Sequence, residues 1–170
     1  MVRVGTQLVD ETLGGIAWHP RFRLHLRRRG RLIRSLEAGG LSEPNVLAIL
    51  TVETFYRPAP YRLLEYVAWL VLSIVRPERV RSMSIGRAQV QLAHWRELGV
   101  IDAVRFSLRR FARVRNVETN YEVCRRYLNR NGVLDERDPD VLARVYTGAP
   151  RADYSSMLTT ARRAMGSSPR

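Results

Sequence analysis

Ser42-Glu43-Pro44-Asn45-Val46-Leu47-Ala48-Ile49-Leu50-Thr51-Val52-Glu53-Thr54-Phe55-Tyr56 is the most informative run of the chain. Ser42 reads as an N-cap and Pro44 as a first-turn residue, and Val46, Leu47, Ile49 and Leu50 follow as an apolar face, so a helix is expected to about Thr54. Pro58 and Pro60 close it. Glu53 therefore falls in the last turn of a largely apolar helix, a carboxylate among apolar and aromatic side chains. Burial disfavours its charged form and raises its pKa, which keeps a proton available near neutral pH, as a glycosidic general acid requires. The competing reading is a solvated charge, or the ion-pair partner of Arg57 or Arg62.

Outward from this run the chain reads as a series of helices. Tyr61–Val75 follows the proline break; its apolar part, Leu63 to Val75, contains Glu65, ends at Arg76-Pro77 and is too short to span a bilayer, so it reads as a buried core helix. Ser84-Ile85-Gly86 opens a helix expected over Arg87–Leu98, on the spacing of Val90, Ala93, His94 and Glu97, with Gly99 ending it. Asp102 caps a helix through Phe111, and Thr119 or Asn120 starts another through Leu128, closed by Asn131-Gly132. Asp138-Pro139 starts a helix over Val141–Tyr146, and Tyr154–Met165 is the last. No strand-like alternation survives, so the fold class is mainly α, a single helical domain with at most a small β element, between Arg76 and Ser84. Residues 1–40 read as a basic arm and helix, with Phe22, Leu24, Leu26, Leu32, Ile33 and Leu36 set among arginines over Arg21–Glu37. Residues 41–165 form the main domain and 166–170 a tail.

At 170 residues, 45% apolar and 26% charged, the chain is an ordinary globular one, long enough for a core without disulfide staples. The single Cys124, in Tyr121-Glu122-Val123-Cys124, reads as a buried structural thiol because no His stands near it to ionise it. His19, His25 and His94 are scattered, so no metal site and no cofactor are expected. The 29 basic residues are all Arg and outnumber the acidic ones to give a net charge of +13. Codon composition accounts for the missing Lys as readily as phosphate recognition does, but the positive field implies a polyanionic partner: nucleic acid, anionic lipid or an acidic wall polymer. The N-terminus shows no continuous apolar run of the secretory kind.

Four short motifs follow Glu53 in order: Ser84-Ile85-Gly86-Arg87-Ala88-Gln89-Val90-Gln91, Asn116-Val117-Glu118-Thr119-Asn120, Arg126-Tyr127-Leu128, and Ala143-Arg144-Val145-Tyr146-Thr147-Gly148-Ala149-Pro150. Together with Ile49-Leu50-Thr51-Val52-Glu53-Thr54 they resemble the lytic transglycosylase family of the lysozyme-like superfamily over roughly residues 44–160. That family has an Ile-x-x-x-Glu-Ser segment, a Gly-x-x-Gln element, an Asn-rich segment leading to Tyr-Leu, and Tyr-Asn-x-Gly-Pro. The resemblance implies a lysozyme-like fold and cleavage of the β-1,4 bond between N-acetylmuramic acid and N-acetylglucosamine in peptidoglycan. Glu53 would be the general acid and then the base. Ser84, Gly86 and Gln89 would line the sugar groove, with Gly86 letting the backbone approach the glycan; Tyr146 would lie beside the acid, and Tyr127 would contribute to binding. One acid suffices where the substrate's N-acetyl group assists. The sequence departs from the family at Thr54, at Arg87-Ala88, at Thr147 and in a longer gap between Glu53 and Gln89.

Glu65 is the candidate second carboxylate, with a pairing to Arg62 one turn away as its structural alternative. The expected partners are a peptidoglycan strand and anionic wall polymers, with an immunity or secretion partner open and nucleic acid bound only nonspecifically. The expected location is the cell wall, reached from the cytoplasm by specialised export or lysis. Two rival readings stand beside this one: an Arg-rich nucleic-acid-binding module using Arg21–Arg34 and Arg105–Arg115, with Phe106 and Phe111 interleaved, and an inactive lysozyme-like glycan-binding protein.

Overall fold

The computed structural model describes residues 20–28, 33, 35–149 and 152–166. The irregular arm expected at 1–20 falls outside them except for Pro20, as does most of the tail. The chain is mainly helical, with one small two-stranded element. In order, the elements are α1 (Pro44–Tyr56), α2 (Ala59–Val75), a 3-10 turn (Arg79–Ser82), β1 (Ser84–Ile85), β2 (Val90–Gln91), α3 (Leu92–Glu97), α4 (Leu108–Arg115), α5 (Val117–Arg130), α6 (Pro139–Thr147) and α7 (Ala152–Gly166). Residues 20–28 and 35–38 are helical as well.

α1 is the central helix. Every residue from Asn45 to Thr54 is buried, as befits a helix that is apolar all round. α7 and α5 pack against it, so that Val46, Ile49 and Val52 share one core with Tyr121, Cys124, Leu128, Tyr154 and Leu158. Two polar hooks fix its start. The Asn45 side-chain amide donates to the carbonyls of Leu134 (2.7 Å) and Glu136 (2.9 Å), and the Glu43 amide donates to the Tyr121 hydroxyl at 2.9 Å. The N-cap is Glu43 rather than Ser42, with no capping side chain. Phe22 and Leu36, from the basic N-terminal segment, are buried in the same core, with Phe22 edge-on to Phe55 at 5.1 Å.

Three expectations need correction. The stretch read as a helix from Arg87 is a β-hairpin. Ser84 pairs with Gln91 and Ile85 with Val90, and only Leu92–Glu97 is helical, so the β element lies after Ser84 rather than before it. The physical cause is Asn120, which is fully buried. Its carbonyl oxygen accepts from the amides of Arg87 (2.6 Å) and Ala88 (3.1 Å), while its amide donates to the carbonyls of Val114 and Asn116, both at 2.6 Å. The turn is thereby clamped to the start of α5, and the helical period of Val90 to Glu97 cannot extend back through it. Gly86 has φ +80° in this turn, and a β-carbon there would lie 2.5 Å from the Asn120 carbonyl oxygen.

Second, α4 begins at Leu108, capped by Ser107. Asp102 instead makes a two-pronged ion pair with Arg110, both contacts at 2.8 Å. α5 begins earlier than expected, because Asn116 is its cap and accepts from Thr119.

Third, α2 is not a buried core helix. Leu63, Leu64, Val67, Leu70, Val71, Ile74 and Val75 are all exposed, while its inward face packs Trp69, Tyr66 and Leu72 on the core together with polar groups. Arg62 and Trp69 are buried there, the Trp69 indole donates to the Val104 carbonyl at 2.8 Å, and the Ser73 hydroxyl accepts from the Phe106 amide at 2.8 Å.

Removing the Asn120 carboxamide leaves buried backbone donors and acceptors unmet. Asn120→Ala is expected to cost about 3 kcal/mol or more, lowering the melting temperature by roughly 6 to 12 °C. Gly86→Ala is expected to destabilise comparably. Thermal unfolding followed by circular dichroism checks both.

Candidate active site

Glu53 stands in the last turn of α1 and is 9% exposed. Its Oε1 accepts the hydroxyl of Tyr154, on α7, at 2.8 Å. Tyr154 stacks parallel to Tyr56 at 6.2 Å, and the Tyr56 hydroxyl donates to Asp153. Tyr154 and Cys124 are buried beside this carboxyl, as is the hydroxyl end of Tyr146. Burial foremost pushes the Cys124 thiol up, and the nearby Glu53 charge adds to the effect. The phenols of Tyr146 and Tyr154 are held well above their ordinary value, again chiefly by burial, with the Cys124 and Glu53 groups adding for Tyr146 and Glu53 for Tyr154. The environment thus favours the uncharged forms of these three groups.

Tyr146 lies beside the carboxyl, as the resemblance implied, without hydrogen-bonding to it. Its hydroxyl donates to the Ala88 carbonyl, in the hairpin turn, and the residue that reaches Glu53 is Tyr154. The Tyr127 ring meets Tyr146 edge-on at 5.8 Å and lies 5.4 Å from His94, so it buttresses the tyrosine that holds the turn.

The Gly86–Gln89 turn brings a second carboxylate into the picture. Gln89 has φ +50°, a left-handed conformation that a non-glycine residue adopts at a cost of about 1–2 kcal/mol. Its side chain offsets this, because Nε2 donates to the Gly86 carbonyl at 2.8 Å and to Glu65 Oε2 at 3.0 Å. Glu65 Oε1 in turn pairs with Arg57 at 2.5 Å, not with Arg62, which is buried. Arg57 follows α1 directly and Glu65 is on α2, so the chain Arg57–Glu65–Gln89 ties both helices to the hairpin. Strain held in place by side-chain hydrogen bonds is a feature of functional sites.

Of the residues singled out from sequence, Glu53, Gln89, Tyr146 and Tyr127 thus belong to one connected region. Gly86 also belongs to it, but its missing side chain accommodates Asn120 and Trp95 rather than a glycan. Ser84 lies in β1, half-buried and paired with Gln91. The departures from the family pattern have local uses. The Thr147 hydroxyl lies 2.8 Å from the Ala143 carbonyl and 2.6 Å from that of Ala149, closing the end of α6. Thr54 is buried and lines a cavity of about 20 Å³ with Leu47, Leu50 and Arg87. A larger, open cavity of about 360 Å³, between Gly99, Arg113, Glu122 and Arg126, includes neither Glu53 nor Glu65. Among the described residues, no group of three or more His, Cys, Asp or Glu is placed to hold a metal ion.

Sequence reasoning missed Tyr154, the Gln89–Glu65 contact and the clamp role of Asn120. An Arg eight residues before Glu65 was the available signal for that ion pair, whereas no spacing pointed to Tyr154.

Because the Tyr146 and Tyr154 phenols are raised in the folded chain, the native state retains protons that the unfolded state releases above about pH 10. Their contribution to stability is complete below that value and is lost as pH rises beyond it. Urea midpoints measured from neutral pH upward should fall above pH 10, and more shallowly in Tyr154→Phe than in the wild type.

No family model, curated protein or solved structure matches this chain, so its functional reading rests on the residues and geometry above.

Proposed function

We propose that the chain is a peptidoglycan-degrading glycosidase that cleaves the bond between N-acetylmuramic acid and N-acetylglucosamine, with Glu53 as acid and base. One observation carries this reading. A buried carboxyl group is hydrogen-bonded by a buried tyrosine, and a second tyrosine beside it holds the Gly-x-x-Gln turn. The acid near the end of a largely apolar helix and Tyr146 beside it are what the resemblance calls for.

In the proposed reaction Glu53 protonates the leaving glycosidic oxygen as the bond to the muramyl anomeric carbon breaks. The sugar's N-acetyl oxygen takes the place of a carboxylate nucleophile. Glu53, now a carboxylate, removes the proton of the muramyl 6-hydroxyl as that oxygen attacks the anomeric carbon, giving a 1,6-anhydro product. The Tyr154 hydroxyl keeps the carboxyl in one orientation.

A second reading, hydrolysis, is favoured by the contact of Gln89 with Glu65, which brings another carboxylate to the same turn. The nucleic-acid reading has less support. Phe106 and Phe111, its candidate stacking residues, are in ring contact with Trp69 and Tyr66, and Arg110 and Arg113 are engaged by Asp102 and the Val100 carbonyl.

Mass spectrometry of purified peptidoglycan after incubation with protein tests the proposal. The wild type is expected to release 1,6-anhydro muropeptides and Glu53→Gln to be slower by about 100- to 10,000-fold, while Glu65→Gln retains the 1,6-anhydro product. Full activity in Glu53→Gln would remove Glu53 from the mechanism. Reducing-end products lost in Glu65→Gln would establish hydrolysis with two carboxylates.

A further inference from the structure

α2 presents its apolar face to solvent. Leu63 is 64%, Leu64 66%, Ile74 76% and Val75 66% exposed, with Val67, Leu70 and Val71 between 42% and 51% and Tyr61 at 63%. These positions, from Leu63 to Val75, form a stripe about 140° wide at the 3.6-residue period, with no charged residue in it. With roughly 100 Å² presented by each of the seven side chains, the stripe offers on the order of 700 Å². That exceeds the few hundred Å² of contiguous apolar surface usual on a monomer. The helix is not loosely attached, since Trp69, Ser73 and Glu65 fasten its inner face. The outward orientation is therefore built into the fold.

We propose that this face of α2 docks on an anionic lipid bilayer, with the helix lying in the plane of the headgroup boundary. Charge selects this occupant. Arg76, Arg79 and Arg81 follow the apolar stripe within six residues, all three exposed, with Glu78 the single carboxylate among them, and the whole chain carries +13. An apolar strip ending in arginines is matched by acyl chains below and lipid phosphates beside them. Tyr61, at the other end, has the apolar ring and polar tip suited to that boundary. A second copy of the chain would meet the same area but would bring the same positive charge to it. A helix lying on the surface does not cross it, and among the described residues no helix is long and apolar enough to do so. This docking is independent of the proposed glycan cleavage.

Co-sedimentation of the full chain with vesicles tests the inference in isolation, since no glycan is present. Vesicles of phosphatidylcholine with about one third phosphatidylglycerol are compared with phosphatidylcholine alone, at about 150 mM and about 500 mM salt. The wild type should bind the anionic vesicles, and the double variant Val67→Glu/Ile74→Glu, altered only at exposed positions, should bind at least roughly tenfold more weakly while keeping its circular dichroism spectrum. Leu64→Gln/Val71→Gln, which adds no charge, should also weaken binding and serves if the first pair fails to fold. Absence of wild-type binding would overturn the inference, as would binding that both pairs leave intact, which would assign the attraction to the arginines alone. A lipid-free dimer that the double variants dissociate, without vesicle binding, would assign the face to a second copy instead.

Discussion

The carboxamide of Asn120 is the interaction on which the rest of the structure depends. It has no access to water, and its hydrogen bonds run to the backbone of three different segments: the hairpin turn, the end of α4 and the start of α5. A hairpin of two residue pairs is far too short to be stable alone. Here its turn is held by a side chain from a packed helix, with Trp95 closing the other side through its indole bond to the Val90 carbonyl at 3.1 Å. The requirement for glycine at position 86 follows from that clamp, since the space a side chain would take is filled by the Asn120 oxygen. Once the turn is fixed, Gln89 is fixed, and through it the geometry of Glu65 and Arg57.

How much of this was legible in the sequence can be traced residue by residue. α1 was readable because an uninterrupted apolar run followed by prolines leaves few alternatives. α2 was readable as a helix but not in its orientation. Apolar count gives burial only when a helix has one polar face to turn outward, and here the polar groups find partners inside, at Val104, Phe106 and Gln89. The hairpin was hidden because Val90, Ala93, His94 and Glu97 carry a true helical period, which ends at Leu92 only because of a contact with a residue some thirty positions away. Tyr154 was hidden for a different reason. Two helices follow one another at the C-terminus, each with a tyrosine, and the angle between them decides which hydroxyl reaches Glu53.

The proposed chemistry and the proposed membrane docking draw on adjacent parts of the same helix pair. Glu53 closes α1 and Arg57 leads into α2, whose inner side gives Glu65 to the turn and whose outer side is apolar. A helix with this division sets the proposed docking face and Glu65 on opposite sides of one element. The +13 charge, which alone distinguishes poorly among polyanions, gains meaning from the arginines set where the apolar stripe ends.

The Tyr154–Glu53 hydrogen bond joins residues 101 positions apart. During synthesis α1 leaves the ribosome long before α7 exists, so a nascent chain carries the acid without the hydroxyl that orients it or the helix that buries it. A chain clipped ahead of residue 152 is in the same condition. The setting of this carboxyl is therefore acquired only once α7 is made, and a copy that stops before it does not possess it.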